Sequence, residues 1–297
     1  MTKPVLDWAR TAKHGVFLLN KALRPIRLRL LEAVTGRVAR VIPHRFRVER
    51  YLDPRGYFPF DFFLDRSPAA QDEGSKSAVP KVIYCFWTGR NPLTPNRILG
   101  LARLRAQNPD IEVVLVTPDN LEDFLIDGHP LHPAFDHLSL THKSDYLRCY
   151  FMHFHGGGYS DIKPAHHQWG PAFEAFDDPV VWLVGYPETD CDICANLGGL
   201  LGRDVRASWS RLIGAGAYII RPRTPFTAQW YAELLRRMDY YARDLAAHPA
   251  TDALGNAPGY PVTWIGINSL IFHPLQLKYL DHVRQDSRLL PVFIDYR

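Results

Sequence analysis

The 297-residue chain predicts an α/β domain, a Rossmann-type mixed sheet flanked by helices, preceded by a basic, partly helical segment. Three observations lead there. A buried-strand pattern, a capped helix and a second strand pattern follow one another between residues 81 and 116. An amphipathic helix stopped by glycines then runs into a short strand that ends in Asp161. The composition, 46% hydrophobic and 22% charged, is that of a soluble protein able to bury a large core in one domain.

Residues 1–64 form the basic segment. From Lys13 to Arg50, Lys21, Arg24, Arg27, Arg29, Arg37, Arg40, Arg45, Arg47 and Arg50 face only Glu32 and Glu49. Leu23, Ile26, Leu30, Leu31 and Val34 recur at roughly helical spacing. Two readings stand: a basic amphipathic helix lying on an anionic membrane, and a helix packed on the main domain. Pro25, and Arg27 and Arg29 set among the apolar positions, favour the second. Residues 65–80 turn to Ser, Ala, Gln, Asp, Glu, Gly, Lys and Pro, the composition of a solvated linker. The main domain is expected over 81–297.

That domain opens with the apolar run from Lys81 to Trp87, a strand buried on both faces and ended by Thr88-Gly89. Thr94-Pro95 supplies an N-cap and a proline at the first helical position, with Ile98, Leu101 and Leu104 on the packing side. The β-branched run Glu112 to Val116 completes a parallel crossover unit. Next, Tyr146, Leu147, Tyr150, Phe151 and Phe154 fall on one helical face. Ser144 is read as the N-cap and Gly156-Gly157 as the stop, which puts Asp145 in the first turn, three residues before Arg148. Both then project toward one ligand instead of the core. The strand Gly158 to Ile162 delivers Asp161 at its carboxyl end, where open α/β sheets bind ligands. Later, Ala217 to Ile220 reads as a strand. Thr224-Pro225 starts a helix whose stripe, Phe226, Trp230, Leu234, Met238 and Tyr241, reads as core.

Ser144-Asp145-x-x-Arg148, seven intervening residues and the string Gly-Gly-x-Tyr-x-Asp resemble the DXD sugar-transferase family, which includes capsular polysaccharide synthesis enzymes and outer-chain mannosyltransferases. Large glucosylating toxins are similar there too. The resemblance takes in Trp87 and, less distinctly, Ala217 to Ile220 and Trp264 to Pro274. It implies a GT-A fold, a nucleoside-diphosphate-sugar donor and transfer with retention of anomeric configuration. It also implies that Asp145 and Arg148 contact the donor sugar and phosphates, that Trp87 lies near the base, and that Asp161 is the first DXD aspartate. Gly157, Asn268, Ser269 and His273 are further donor-binding candidates.

The family string ends in Asp-x-Asp, whereas here it is Asp161-Ile162-Lys163. An ammonium has no lone pair to offer a cation, so a manganese or magnesium ion would rest on Asp161 alone. The alternative is that Lys163, with Arg148, neutralises the leaving diphosphate directly. Asp161, Lys163 and Arg148 are accordingly the expected catalytic set.

Other signals are weaker. Cys191-x-x-Cys194 lacks a second CxxC or a spaced His pair, so it reads as ordinary loop cysteines, and His166-His167 as a solvated loop. Gly156-Gly157-Gly158 follows a helix and does not satisfy G-x-G-x-x-G, and neither a Walker A nor a G-x-S-x-G string occurs. The net charge of +4 is mild and argues against a nucleic-acid partner. Four cysteines and no signal sequence predict a cytoplasmic protein, peripheral on the inner membrane face if the basic segment engages lipid. The expected partners are a UDP- or GDP-sugar and a surface polysaccharide or glycolipid acceptor. A non-catalytic domain binding glycans or nucleotide-sugars in an assembly complex is the competing reading, and Lys163 is what raises it.

Overall fold

The computed structural model describes residues 30, 34–42, 44–52, 63–65 and 77–293. Pro25 and most of the linker lie outside them. Strands β1 (Val82–Phe86), β2 (Glu112–Val116), β3 (Gly157–Ser160), β4 (Leu183–Pro187), β5 (Ile213–Ile220) and β6 (Val283–Gln285) form one sheet in the order β2-β1-β3-β5-β4-β6. The helices are α1 (Pro95–Gln107), α2 (Leu140–Phe154), α3 (Gly170–Phe173), α4 (Gly199–Ala207), α5 (Pro225–Ala247) and α6 (Ser269–Lys278).

The sheet is mixed through one strand. β1 runs parallel to β2 and β3, and β4 parallel to β6, while β5 is antiparallel to both neighbours. Five strands therefore end at the same edge, the edge at which β5 begins. Alternation along β1 separates two cores. Val82, Tyr84 and Phe86 pack in the core that holds residues of α2, α5 and α6. Ile83 and Cys85 pack in the one that holds Leu101 and Leu104 of α1 with Trp169, Ala172 and Phe173. Both faces are thus covered, which is why every residue of β1 is apolar and buried.

Local chemistry fixes the element ends. Thr94 Oγ1 accepts from Arg97 N at 3.4 Å ahead of Pro95, and Thr224 caps α5 in the same way from Thr227 N at 3.3 Å. Ile98 departs from the expected packing side, being 56% exposed, since Leu101 and Leu104 suffice to seat α1. α2 begins earlier than its sequence pattern suggests. Its N-cap is Ser139, whose Oγ accepts from His142 N at 3.2 Å, and Asp145 therefore lies in the second turn. The cap is preferred there because the His142 ring is also held, by Ser139, by Tyr260 Oη at 2.9 Å and by the Thr263 carbonyl at 3.1 Å. The glycine stop is as expected: Gly156 and Gly157 have φ of 69° and 86°, a region that costs other residues strain.

The basic segment is partly tied to this domain. Tyr51, Phe63 and Leu64 are buried in the core on the α2 side of the sheet. Gln229 and Lys278 donate to the carbonyls of Phe63 and Leu64 at 3.0 and 2.9 Å. Among the described residues no helix is long and apolar enough to cross a membrane.

Candidate functional site

The chain passes from β1 to β2 on one side and then to β3 on the other, so the order reverses between β1 and β3. A crevice opens at such a reversal, beyond the carboxyl ends of the strands. Trp87 leaves β1 and Asp161 leaves β3 at this point. A cleft of about 560 Å³ lies there, within the range of small-molecule sites. Trp87, Arg97, Ser144, Arg148, Asp161 and Lys163 are among the residues that line it.

Asp161 is the hub. Its backbone N–H donates to Gly216 O at 2.8 Å, fixing the residue to the first half of β5. Oδ1 accepts from Tyr159 Oη at 2.5 Å and from Arg148 Nη2 at 3.2 Å, and Oδ2 accepts from Lys163 Nζ at 2.7 Å. Burial works against its ionisation, but Arg148 and Lys163 outweigh that and hold the carboxyl below its ordinary range.

Arg148 is equally constrained. It donates to Ala215 O at 3.1 Å, lies 3.5 Å from Asp145 and stacks over the Tyr159 ring with its guanidinium carbon 4.5 Å from the centroid. Burial alone would lower its pKa, yet Tyr159, Asp145 and Asp161 raise it, so the cation is secure. Its Nε–H is buried without a hydrogen-bond partner among the described residues.

Asp145 does not reach the cleft as expected. Its position in the second turn of α2 turns it inward, 4% exposed, where Asn268 Nδ2 donates to Oδ1 at 2.8 Å. Burial raises its pKa despite Arg148 and His142. Asp145 and Asn268 thus support Arg148 from behind.

The other sequence candidates fall elsewhere. Gly157 starts β3 at the far edge of the sheet, where a Cβ would meet Val82 Cγ1 at 2.8 Å; its role is close packing. Ser269 begins α6 outside the cleft lining. His273, deep in α6, is buried outside the cleft lining; its Nδ1 accepts from Ala195 N at 2.9 Å and its Nε2 lies 3.2 Å from Glu188 without a hydrogen bond among the described residues. His166 and His167 are exposed.

Three cleft residues were given no role of their own by the sequence reading. Arg97 occupies the first turn of α1, where the helix dipole favours an acid, and donates to Ile162 O at 2.6 Å. That misplaced cation was the available signal. Tyr159 is visible as the tyrosine of the Gly-Gly-x-Tyr-x-Asp string, but its support of both Asp161 and Arg148 is not. Trp264, 57% exposed, joins Ala253 and Leu254 in forming a wall from the loop before α6. Thr141 holds Ala253 in place, donating to its carbonyl through N and Oγ1, both at 3.0 Å.

A divalent cation does not fit this donor set. Asp161 is the one carboxylate lining the cleft, both its oxygens are engaged, and no trio of His, Cys, Asp or Glu able to hold a metal occurs among the described residues. Cys191 and Cys194 are buried, are not joined in a disulfide and lie outside any such trio. The cleft instead concentrates cations, with Arg97, Arg148 and Lys163 against Asp161, beside the aromatic faces of Trp87 and Trp264. Such a pairing suits an anion that carries a flat ring. No family model matches the chain, and no curated protein matches it.

Proposed function

We propose that the protein is a GT-A-type glycosyltransferase that moves a sugar from a nucleoside-diphosphate sugar to a surface polysaccharide or glycolipid, with retention, and that lysine takes the part of the metal. The observation that carries this reading is the convergence of Arg148 and Lys163 on Asp161 at the end of β3, inside the cleft. In the transfer, the bond between the anomeric carbon and the β-phosphate oxygen breaks. The acceptor oxygen makes the new glycosidic bond, and its proton passes to the departing diphosphate. Charge therefore grows on the diphosphate, and preorganised cations are what the step needs.

Lys163 and Arg148 are assigned to that charge, and Asp161 keeps both in position. A single ammonium supplies about half the attraction of a divalent ion, roughly 4 kcal/mol at 4 Å and an effective dielectric of 20, so Arg148 and Arg97 share the task. Trp87 is assigned to the base.

Donor hydrolysis tests this without knowledge of the acceptor. Turnover of a UDP- or GDP-sugar is expected to survive excess chelator. Lys163→Ala is expected to cost about 3 to 4 kcal/mol at the transition state, a rate loss of roughly 100- to 1000-fold. A Lys163→Ala enzyme with near-normal turnover would refute the assignment. The occupied oxygens of Asp161 favour one second reading, a non-catalytic domain that binds nucleotide-sugar or glycan. Silence with every donor, combined with measurable nucleotide binding, selects it.

A further inference from the structure

The helical stretch at residues 34–41 packs in an unusual sense. Its small residues face the domain. Gly36 lies so close to Trp209 that a Cβ would sit 2.8 Å from the indole, its carbonyl accepts from Ser210 Oγ at 2.8 Å, and Ala39 is buried. Its branched residues face outward. Val34, Val38, Val41 and Ile42 fall on the opposite side of the helix and, with Leu30, are 50% to 80% exposed. A helix that only covered its own domain would bury these residues and expose the small ones, because burying an aliphatic side chain contributes about 1.5 to 3 kcal/mol and burying glycine nothing comparable.

The surroundings of this stripe are cationic. Arg37, Arg40, Arg45 and Arg47 are exposed, Arg50 is held by Asp204 at 2.7 Å, and Glu49 is the acid between residues 34 and 50. Val34, Val38 and Ile42 also line an open groove of about 490 Å³ rimmed by Arg45, Arg47 and Arg50. Aliphatic residues flanked by arginines match the two layers of an anionic bilayer surface, hydrocarbon below and phosphate above. A second copy of the chain fits poorly, since closing two such faces would set arginine against arginine.

We propose that Leu30 and residues 34–42 and 44–47 form a docking surface for anionic membranes. Strand register gives this surface a relation to the cleft. Trp209 and Ser210, on which the helix rests, precede β5, and β5 begins at the sheet edge where β3 delivers Asp161. The helix therefore lies near that end of the sheet, the end at which a glycolipid acceptor would be met. The proposal stands whether or not the cleft transfers sugar, because its test reads binding alone.

The full chain is to be sedimented with vesicles of phosphatidylcholine alone and of phosphatidylcholine mixed with phosphatidylglycerol. Partitioning is expected onto the anionic vesicles only and should fall with added salt. Arg37→Gln and Arg40→Gln should each weaken it by about fivefold, and roughly 25-fold together. Val34→Asp with Val38→Asp should abolish it while leaving the melting temperature unchanged. Equal partitioning onto both vesicle types, or none, would overturn the proposal. So would a concentration-dependent dimer that the valine variants dissolve, which would assign the stripe to a second copy. A large drop in melting temperature in those variants would also overturn it, by assigning the stripe to the chain's own interior.

Discussion

Lys163 and Asp161 make a pair whose worth depends on what else reaches them. The ammonium is 8% exposed, the carboxylate is 22% exposed, and Arg148 holds the other carboxylate oxygen. Taking the ammonium away leaves Asp161 with one cation in a site of low polarity. Replacing it by a carboxylate goes further: Lys163→Asp restores the Asp-x-Asp string and sets two acids side by side with a vacant cation position between them. The expected outcome is a protein destabilised by about 1 to 3 kcal/mol, in which manganese or magnesium recovers stability and stimulates donor hydrolysis, and chelator removes both gains. Indifference of that variant to metal and chelator alike would show that Lys163 does not occupy an ion's position. At this scale the sequence was informative about which residues lie together. Asp161, Arg148, Lys163 and Trp87 all line the cleft. It misled where a role depends on helix phase, as with Asp145, because a cap displaced from Ser144 to Ser139 changes how deep in the helix that acid lies.

Between α2 and α5 the helix packing creates a pH dependence. His153, near the end of α2, is buried against α5, stacked on Tyr231 at 5.2 Å between ring centroids, with Nδ1 3.2 Å from Thr227 Oγ1. Burial, aided by Arg223, lowers its pKa from 6.5 to about 4. A base whose folded pKa is depressed resists protonation in the native state, so its contribution is complete above pH 6.5 and is lost as pH falls toward 4. Over that window the chain should lose about 3 kcal/mol through this one group. His142 and His155, whose pKa values burial also lowers, add in the same direction. His153→Gln removes the titration while keeping a polar group for Thr227. Urea melts from pH 7 to pH 4 should therefore show a shallower decline in that variant, and parallel declines in the two proteins would place the acid sensitivity elsewhere. Such elements were legible because their signals are local: Thr94-Pro95, Thr224-Pro225 and Gly156-Gly157 each mark an end by their own chemistry. The true start of α2 was not, since the ring that secures Ser139 is held from Tyr260 and Thr263, far along the chain.

The whole sheet was legible by halves for the same reason. The parallel β1-β2 unit follows from a fully buried apolar run and a β-branched run joined by a capped helix, and the strand before Asp161 from the glycine stop that precedes it. The reversal of β5 leaves no mark in Ile213–Ile220, which is apolar whichever way it runs, and the pairing of β4 with β6 rests on short strands distant in sequence. That reversal nonetheless builds the site, because it brings the Ala215 and Gly216 carbonyls to Arg148 and to the backbone of Asp161. Ligand in the cleft accordingly bridges β1, β3, α1 and α2, and through Asp161 it reaches β5, so that binding is coupled to global unfolding. A nucleoside diphosphate at about 100 times its dissociation constant should add roughly 2.7 kcal/mol, a rise in melting temperature of about 5 to 10 °C for a domain of this size. On the proposed reading, in which cations of the chain hold the diphosphate, the rise should be the same with and without chelator, and it should shrink in Arg97→Ala and Lys163→Ala. A shift that appears only with manganese would return the site to metal-assisted binding. No shift with uridine or guanosine diphosphate would remove nucleotide recognition from this cleft.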